Sequence, residues 1–112
     1  MLFRSKLPTE IFGNVVVVHT PEELGTDRAG HLEQFLTTQE RNQVIVDLDG
    51  SETIDSGGLE ALLNAQETLR ALAGDLKIAT SNAANCKILE ITRLDQQLEV
   101  FDTVIEAVKS FS

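Results

Sequence analysis

Apolar and polar positions along this chain switch between a period near two and a period near 3.6, and the switches divide it into alternating strands and helices. Leu2 to Leu7 alternates, which predicts an edge strand, and Pro8 to Asn14 carries turn chemistry. Val15 to His19 is β-branched until its last residue, the pattern of a strand buried on both faces. An edge strand turning back into a central one is therefore expected at the front. Thr26 and Asp27 offer caps to a first helix whose apolar positions are Ala29, Leu32, Phe35 and Leu36. His31, Glu33 and Gln34 fall on its wet side. Val44 to Leu48 forms the next strand, with Val44, Val46 and Leu48 on one face, and it ends in Asp49-Gly50. A helical crossover between the two strands makes them parallel.

After Ser51 to Asp55, a second helix starts near Gly57 and sets Leu59, Leu62, Leu63, Leu69 and Leu72 on one face. Gly74, followed by Asp75, supplies its C-terminal cap. Leu76 to Thr80 is a short strand, a third helix holds Ile88, Ile91 and Leu94, and Leu98 to Phe101 is a brief extended piece. The Thr103 to Glu106 spacing makes a capping box for a last helix bearing Val104, Ile105, Val108 and Phe111. The expected fold is α/β: a mixed β-sheet of four to five strands with four α-helices packed on it. Neither a repeat nor a linker interrupts the 112 residues, so residues 1–112 form one domain.

Composition narrows the partners. Eighteen acidic against nine basic side chains give a formal net charge of -9, a field that repels nucleic-acid backbones and anionic lipid. Such acidity keeps a protein soluble; its sharper reading is a basic partner surface. Cys86 stands alone, so this chain can build neither an internal disulfide nor a thiolate zinc site. Its longest apolar run, Val15 to Val18, is too short to insert in a membrane, and no secretory signal opens the sequence. A cytoplasmic protein without cofactor or metal is expected.

The most unusual stretch is Ile54-Asp55-Ser56-Gly57-Gly58-Leu59, between a strand and an apolar-periodic helix. It places a serine at a helix N-terminus, where backbone N–H groups lack intrahelical partners and the macrodipole is positive. A phosphate on Ser56 would be tolerated there while presenting a new acidic point to any partner. Three readings of Ser56 stand side by side: a cap, a phosphoacceptor and a nucleophile. The last lacks a Gly-x-Ser-x-Gly frame and has only His19 and His31 to draw on. Asp47 and Asp49 sit where a receiver domain carries its phospho-accepting aspartate, but the required acidic pair and lysine are missing at the other strand ends, so they are read as strand-end and turn residues.

Three stretches together resemble the STAS domains shared by anti-sigma-factor antagonists and the cytoplasmic tails of sulfate transporters. Val44-Ile45-Val46-Asp47-Leu48-Asp49-Gly50 with Ile54-Asp55-Ser56-Gly57-Gly58-Leu59 is similar to the family's strand and its Asp-Ser-(Ser/Ala/Gly)-Gly-Leu phosphorylation loop. Cys86 to Asp95 resembles its third helix, and Val100 to Thr103 with Ile105 to Val108 the entry into its last. The resemblance implies a STAS-like sheet and Ser56 as phosphoacceptor. It also implies a GHKL-type anti-sigma serine kinase as binding partner, a PP2C-type phosphatase that reverses the mark, and no enzymatic activity of its own. Asp55, Ser56, Gly57, Gly58 and Glu60 are then the partner-binding residues. The alternative within the same fold is a non-catalytic accessory subunit of an ABC-type transporter or of a stressosome-like sensory complex. One departure stands out: where the family carries an aspartate after its second strand, this chain has Gly25, in Glu23-Leu24-Gly25-Thr26-Asp27.

Overall fold

The computed structural model of the chain describes residues 7–111, apart from the side chains of residues 26–28. Strand β1 (Thr9–Phe12) turns back into β2 (Val15–His19), and the two pair antiparallel from Thr9 with Val18 to Phe12 with Val15. Only Gly13 and Asn14 form the turn, with Gly13 at φ +61°, the left-handed position that a tight hairpin asks of its first central residue. The edge strand thus lies inside the stretch expected to be loop, because Thr9 to Phe12 can pair with β2 once two residues suffice to turn. The expected strand at Leu2 to Leu7 falls, but for Leu7, outside the described residues.

β2 is followed by the short strand β3 (Glu23–Leu24), helix α1 (Thr26–Thr37) and strand β4 (Gln43–Asp47). Then come β5 (Thr53–Ile54), α2 (Ser56–Ala71), β6 (Asp75–Ala79), α3 (Ala83–Ile91), a 3-10 turn at Leu94–Gln96, β7 (Val100–Phe101) and α4 (Val104–Lys109). The main sheet has the order β1-β2-β4-β6-β7, parallel throughout except for β1. β4 lies at its centre, flanked by β2 and β6, and Val15 to Val18 and Val44 to Val46 are buried on both faces. Each such valine contributes roughly 1.5–3 kcal/mol of burial.

One face carries α1, α2 and α3, packed through Leu32, Leu36, Leu59, Leu62, Leu69 and Leu89 onto Val16, Val18, Val44 and Val46. The opposite face, Val15, Val17, Ile45 and Ala79, is covered by α4 through Ala107, Val104 and Val108. Three expected core positions face water instead. Leu72, Ile91 and Ile105 are more than half exposed, since helices α2 and α3 end at these residues and α4 buries Ala107 in place of Ile105.

Helix ends also differ in detail from the sequence pattern. Gly25, which has no side chain, takes the N-cap position of α1; the cap expected from Thr26 or Asp27 falls on side chains outside the described residues. At the end of α2 the residue in left-handed conformation is Ala73, at φ 66°, not Gly74. Ala73 N–H bonds the Arg70 carbonyl and Gly74 N–H the Leu69 carbonyl, which closes a Schellman motif one residue early. Gly74 is needed for another reason: a Cβ there would overlap the Asn42 carbonyl that pairs with Asp75. The Thr103 hydroxyl accepts the Glu106 N–H at 3.1 Å, as the capping box requires.

Candidate functional site

The short strands β3 and β5 pair in parallel, Glu23 with Thr53 and Leu24 with Ile54, and form a two-stranded ladder apart from the main sheet. Glu22 carbonyl accepts from Glu52 and Thr53, and Leu24 carbonyl accepts from Asp55 at 3.1 Å. This ladder ties the N-terminus of α1 to that of α2. Neither strand has an alternating pattern of its own, and two residues of pairing leave no periodic signal in the sequence.

Asp55 is the N-cap of α2. Its backbone is extended (φ -102°, ψ 180°), its carbonyl accepts the Leu59 N–H, and Oδ1 accepts the Gly58 N–H at 3.1 Å. Ser56 is the first helical residue and is exposed, as are Asp55 and Glu60. The hydroxyl therefore sits at the positive end of a 16-residue helix, one residue earlier in it than the sequence pattern placed the start. Gly57 is half-buried and Gly58 is buried. A Cβ on Gly58 would stand 2.5 Å from the Leu24 carbonyl oxygen, so its missing side chain lets α2 rest directly on β3. Its role is internal packing, where open access had been expected. Over Gly25, a Cβ would come within 3.0 Å of Asp55 Oδ2: the Asp55 carboxylate fills the space that a side chain at position 25 would claim.

Beneath the turn lies a buried polar anchor that sequence reasoning missed. Ser51, fully buried, donates its hydroxyl to the Pro21 carbonyl at 2.5 Å. Thr20 Oγ1 stands 2.6 Å from Ser51 Oγ and donates to the Asp47 carbonyl at 3.1 Å. Asn85, sent inward from α3 with 1% exposure, donates both amide protons, to Leu48 O at 2.9 Å and Ser51 O at 3.3 Å. The segment leading from β4 to the Ser56 turn is thereby pinned to the β2–β3 loop and to α3. The signal for Asn85 was its place four residues before Leu89, on the inward stripe of α3.

Asp49 closes the same loop from outside. Its Oδ1 accepts the Thr80 hydroxyl at 2.9 Å and the Ser81 N–H at 2.8 Å. Partial burial alone would raise its pKa, but the Ser81 and Thr80 hydrogen bonds outweigh it and hold the carboxyl below the ordinary 3.8. Asp47 ends β4, and its Oδ1 accepts the Asp49 N–H. Both act as the strand-end and turn residues that the sequence suggested.

Among the described residues neither histidine is hydrogen-bonded to Ser56. His19 follows Val15 and Val17 on the α4 face of the sheet, with its ring held by Glu10 and Asp47, whereas α2 packs on the other face. His31 is exposed on α1. Among the described residues no group of three or more His, Cys, Asp or Glu could hold a metal ion, and no helix is long and apolar enough to cross a membrane.

Comparison with known proteins follows this geometry closely. A family model described as STAS domain matches residues 6–107. A Thermotoga neapolitana protein described as a candidate anti-sigma factor antagonist is 28% identical over 108 residues, 91% of this chain and 94% of its own. The crystal structure of an anti-sigma factor antagonist from Mycobacterium paratuberculosis has the same fold, with a TM-score of 0.81 at 23% identity, covering 94% of this chain and 92% of that one. The Bacillus cell fate determinant SpoIIAA in its phosphorylated form superposes with a TM-score of 0.70 at 18% identity, over 96% and 100% of the two chains.

Proposed function

Because this chain belongs to the STAS domain family, we propose that it is an anti-sigma factor antagonist that binds an anti-sigma serine kinase of the GHKL type and is switched off by phosphorylation of Ser56. The observation that carries this reading is the position of Ser56: an exposed hydroxyl on the first residue of α2, beside an aspartate that already caps the helix. The relatives described as anti-sigma factor antagonists support the role, and a structural neighbour known in a phosphorylated form supports the switch.

Phosphorylation would add about 1.5–2 negative charges at pH 7. The fold has reason to survive it. Asp55 keeps Gly58 capped, the β3–β5 ladder keeps both helix starts in place, and the anchor of Ser51, Thr20 and Asn85 lies inside the protein. A bound partner has no such tolerance. Glu22, Glu23, Glu52, Asp55 and Glu60 are all exposed around the serine, so the complementary surface is basic in its rim and closely fitted to a hydroxyl at its centre. A phosphate inserted there loses shape and hydrogen-bond match, and a loss of several kcal/mol weakens binding by two or more orders of magnitude, at about 1.4 kcal/mol per factor of ten. A PP2C-type phosphatase would restore the binding form. Direct contact falls to Asp55, Ser56, Gly57 and Glu60, while Gly58 contributes by seating the helix.

The test is phosphorylation itself. Incubation with candidate GHKL-type kinases and ATP is expected to place one phosphate on Ser56, absent in Ser56→Ala, and Ser56→Asp is expected to lose binding to the same kinase. Label that persists in Ser56→Ala would discard the site. Stable co-purification with a transporter or a multi-protein core, indifferent to Ser56→Asp, would favour an accessory subunit.

A further inference from the structure

On the α4 face of the sheet, away from Ser56, a histidine bridges two carboxylates. His19 Nε2 lies 2.7 Å from Glu10 Oε1, and His19 Nδ1 lies 2.9 Å from Asp47 Oδ2. Glu10 is on the outer strand β1, His19 ends β2, and Asp47 ends β4, the sheet's central strand. Glu10 pairs with Val17 and Asp47 with His19 in register, so the three side chains share one face.

A neutral imidazole has one N–H and one lone pair, and a carboxylate can only accept. Both ring nitrogens here face a carboxylate oxygen at hydrogen-bond distance, and only the imidazolium form can donate to both. Among the described residues only Glu10 and Asp47 act on the ring by charge or hydrogen bond. Next to Asp47 in register come Ala79 and then Phe101, and α4 turns Val104, Ala107 and Val108 to this face. The Lys77 ammonium, one row away, is engaged with Ser110, Phe111 and Glu99, and the α4 residues Glu106 and Lys109, like Asp102 before it, are exposed to solvent.

We propose that His19 is a proton-operated clasp, which as imidazolium fastens the outer strand β1 to the centre of the sheet and on losing its proton releases Glu10. The asymmetry of the two carboxylates says which tie breaks. The Asp47 side chain is 15% exposed and its other oxygen holds the Asp49 N–H, whereas that of Glu10 is 56% exposed. A neutral ring therefore keeps Nδ1–H on Asp47, turns its lone pair to Glu10, and Glu10 moves into water. The β1 ladder remains, with the His19 N–H on the Pro8 carbonyl, but its side-chain tie is gone. Burial alone would lower the His19 pKa; the hydrogen bond with Glu10 and the charge of Asp47 outweigh it and raise it above 6.5. The tie therefore contributes its full stability below pH 6.5 and loses it as pH rises through the folded-state value.

Long-range 1H–15N NMR of the histidine rings, with amide shifts followed across the same titration, tests the clasp. The expected result is a His19 ring protonated on both nitrogens with a midpoint above 6.5, and β1 amides that shift with that same midpoint. In Glu10→Gln, an exposed and nearly isosteric change, the midpoint falls toward 6.5 and the β1 amides no longer follow it. A neutral His19 ring at pH 6.5, or β1 amides indifferent to its titration in the unaltered protein, overturns the proposal. Neither outcome bears on Ser56.

Discussion

Replacing Gly58 by alanine asks whether the start of α2 is held by direct backbone packing. In an open helix alanine is favoured over glycine by about 0.8–1 kcal/mol, so propensity alone predicts a gain. Here the new methyl would stand 2.5 Å from the Leu24 carbonyl oxygen and 3.1 Å from the Leu24 carbonyl carbon and Cγ. Neither backbone segment can swing aside, because the Leu24 carbonyl also accepts from Asp55 and the ladder fixes β3 to β5. Overpacking of this kind costs typically 1–3 kcal/mol, and a contact between two main chains lies toward the upper end, leaving a net loss of about 1–2 kcal/mol. At an unfolding entropy near 2.1 cal/mol/K per residue, a 112-residue chain shifts by about 4 °C per kcal/mol, so Tm falls by roughly 4–9 °C. Gly30→Ala in α1 is the internal reference. A Cβ there meets nothing within 4 Å, and Tm rises by roughly 3–4 °C. Far-UV circular dichroism is the suitable probe, since the chain has no Trp or Tyr. Equal gains from both substitutions would refute the steric argument and with it the claim that Gly58 seats α2 on β3.

Two further outcomes follow from the loop anchors. Asn85→Ala removes the donors to the Leu48 and Ser51 carbonyls and is expected to cost about 1–3 kcal/mol, read as a lower urea midpoint at unchanged slope; a neutral result would deny the anchor. Asp49, whose folded-state pKa is depressed, contributes stability that is present above its ordinary 3.8 and lost as pH falls through the folded value, so Asp49→Asn should flatten the acid limb of unfolding followed between about pH 2 and 6. An unchanged acid limb would show that Thr80 and Ser81 do not favour the ionised form.

Much of this protein was written in the order of its residues. The β-branched runs at Val15 and Val44 can bury both faces only in the middle of a sheet, and the leucines of α2 keep a helical period over four turns, so element type and the parallel crossover were legible. Ser56 was legible too, because Asp-Ser before an apolar-periodic helix is a local signal that needs no tertiary partner. What the sequence could not disclose were matters of proximity. Whether Gly58 and Gly74 serve conformation or clearance depends on carbonyls of Leu24 and Asn42, more than thirty residues away in each case. The β3–β5 ladder, the Ser51–Thr20–Asn85 anchor and the Glu10–His19–Asp47 bridge each join residues whose spacing carries no period. Periodicity records which side of an element faces the core; only the folded chain decides which polar groups meet across it.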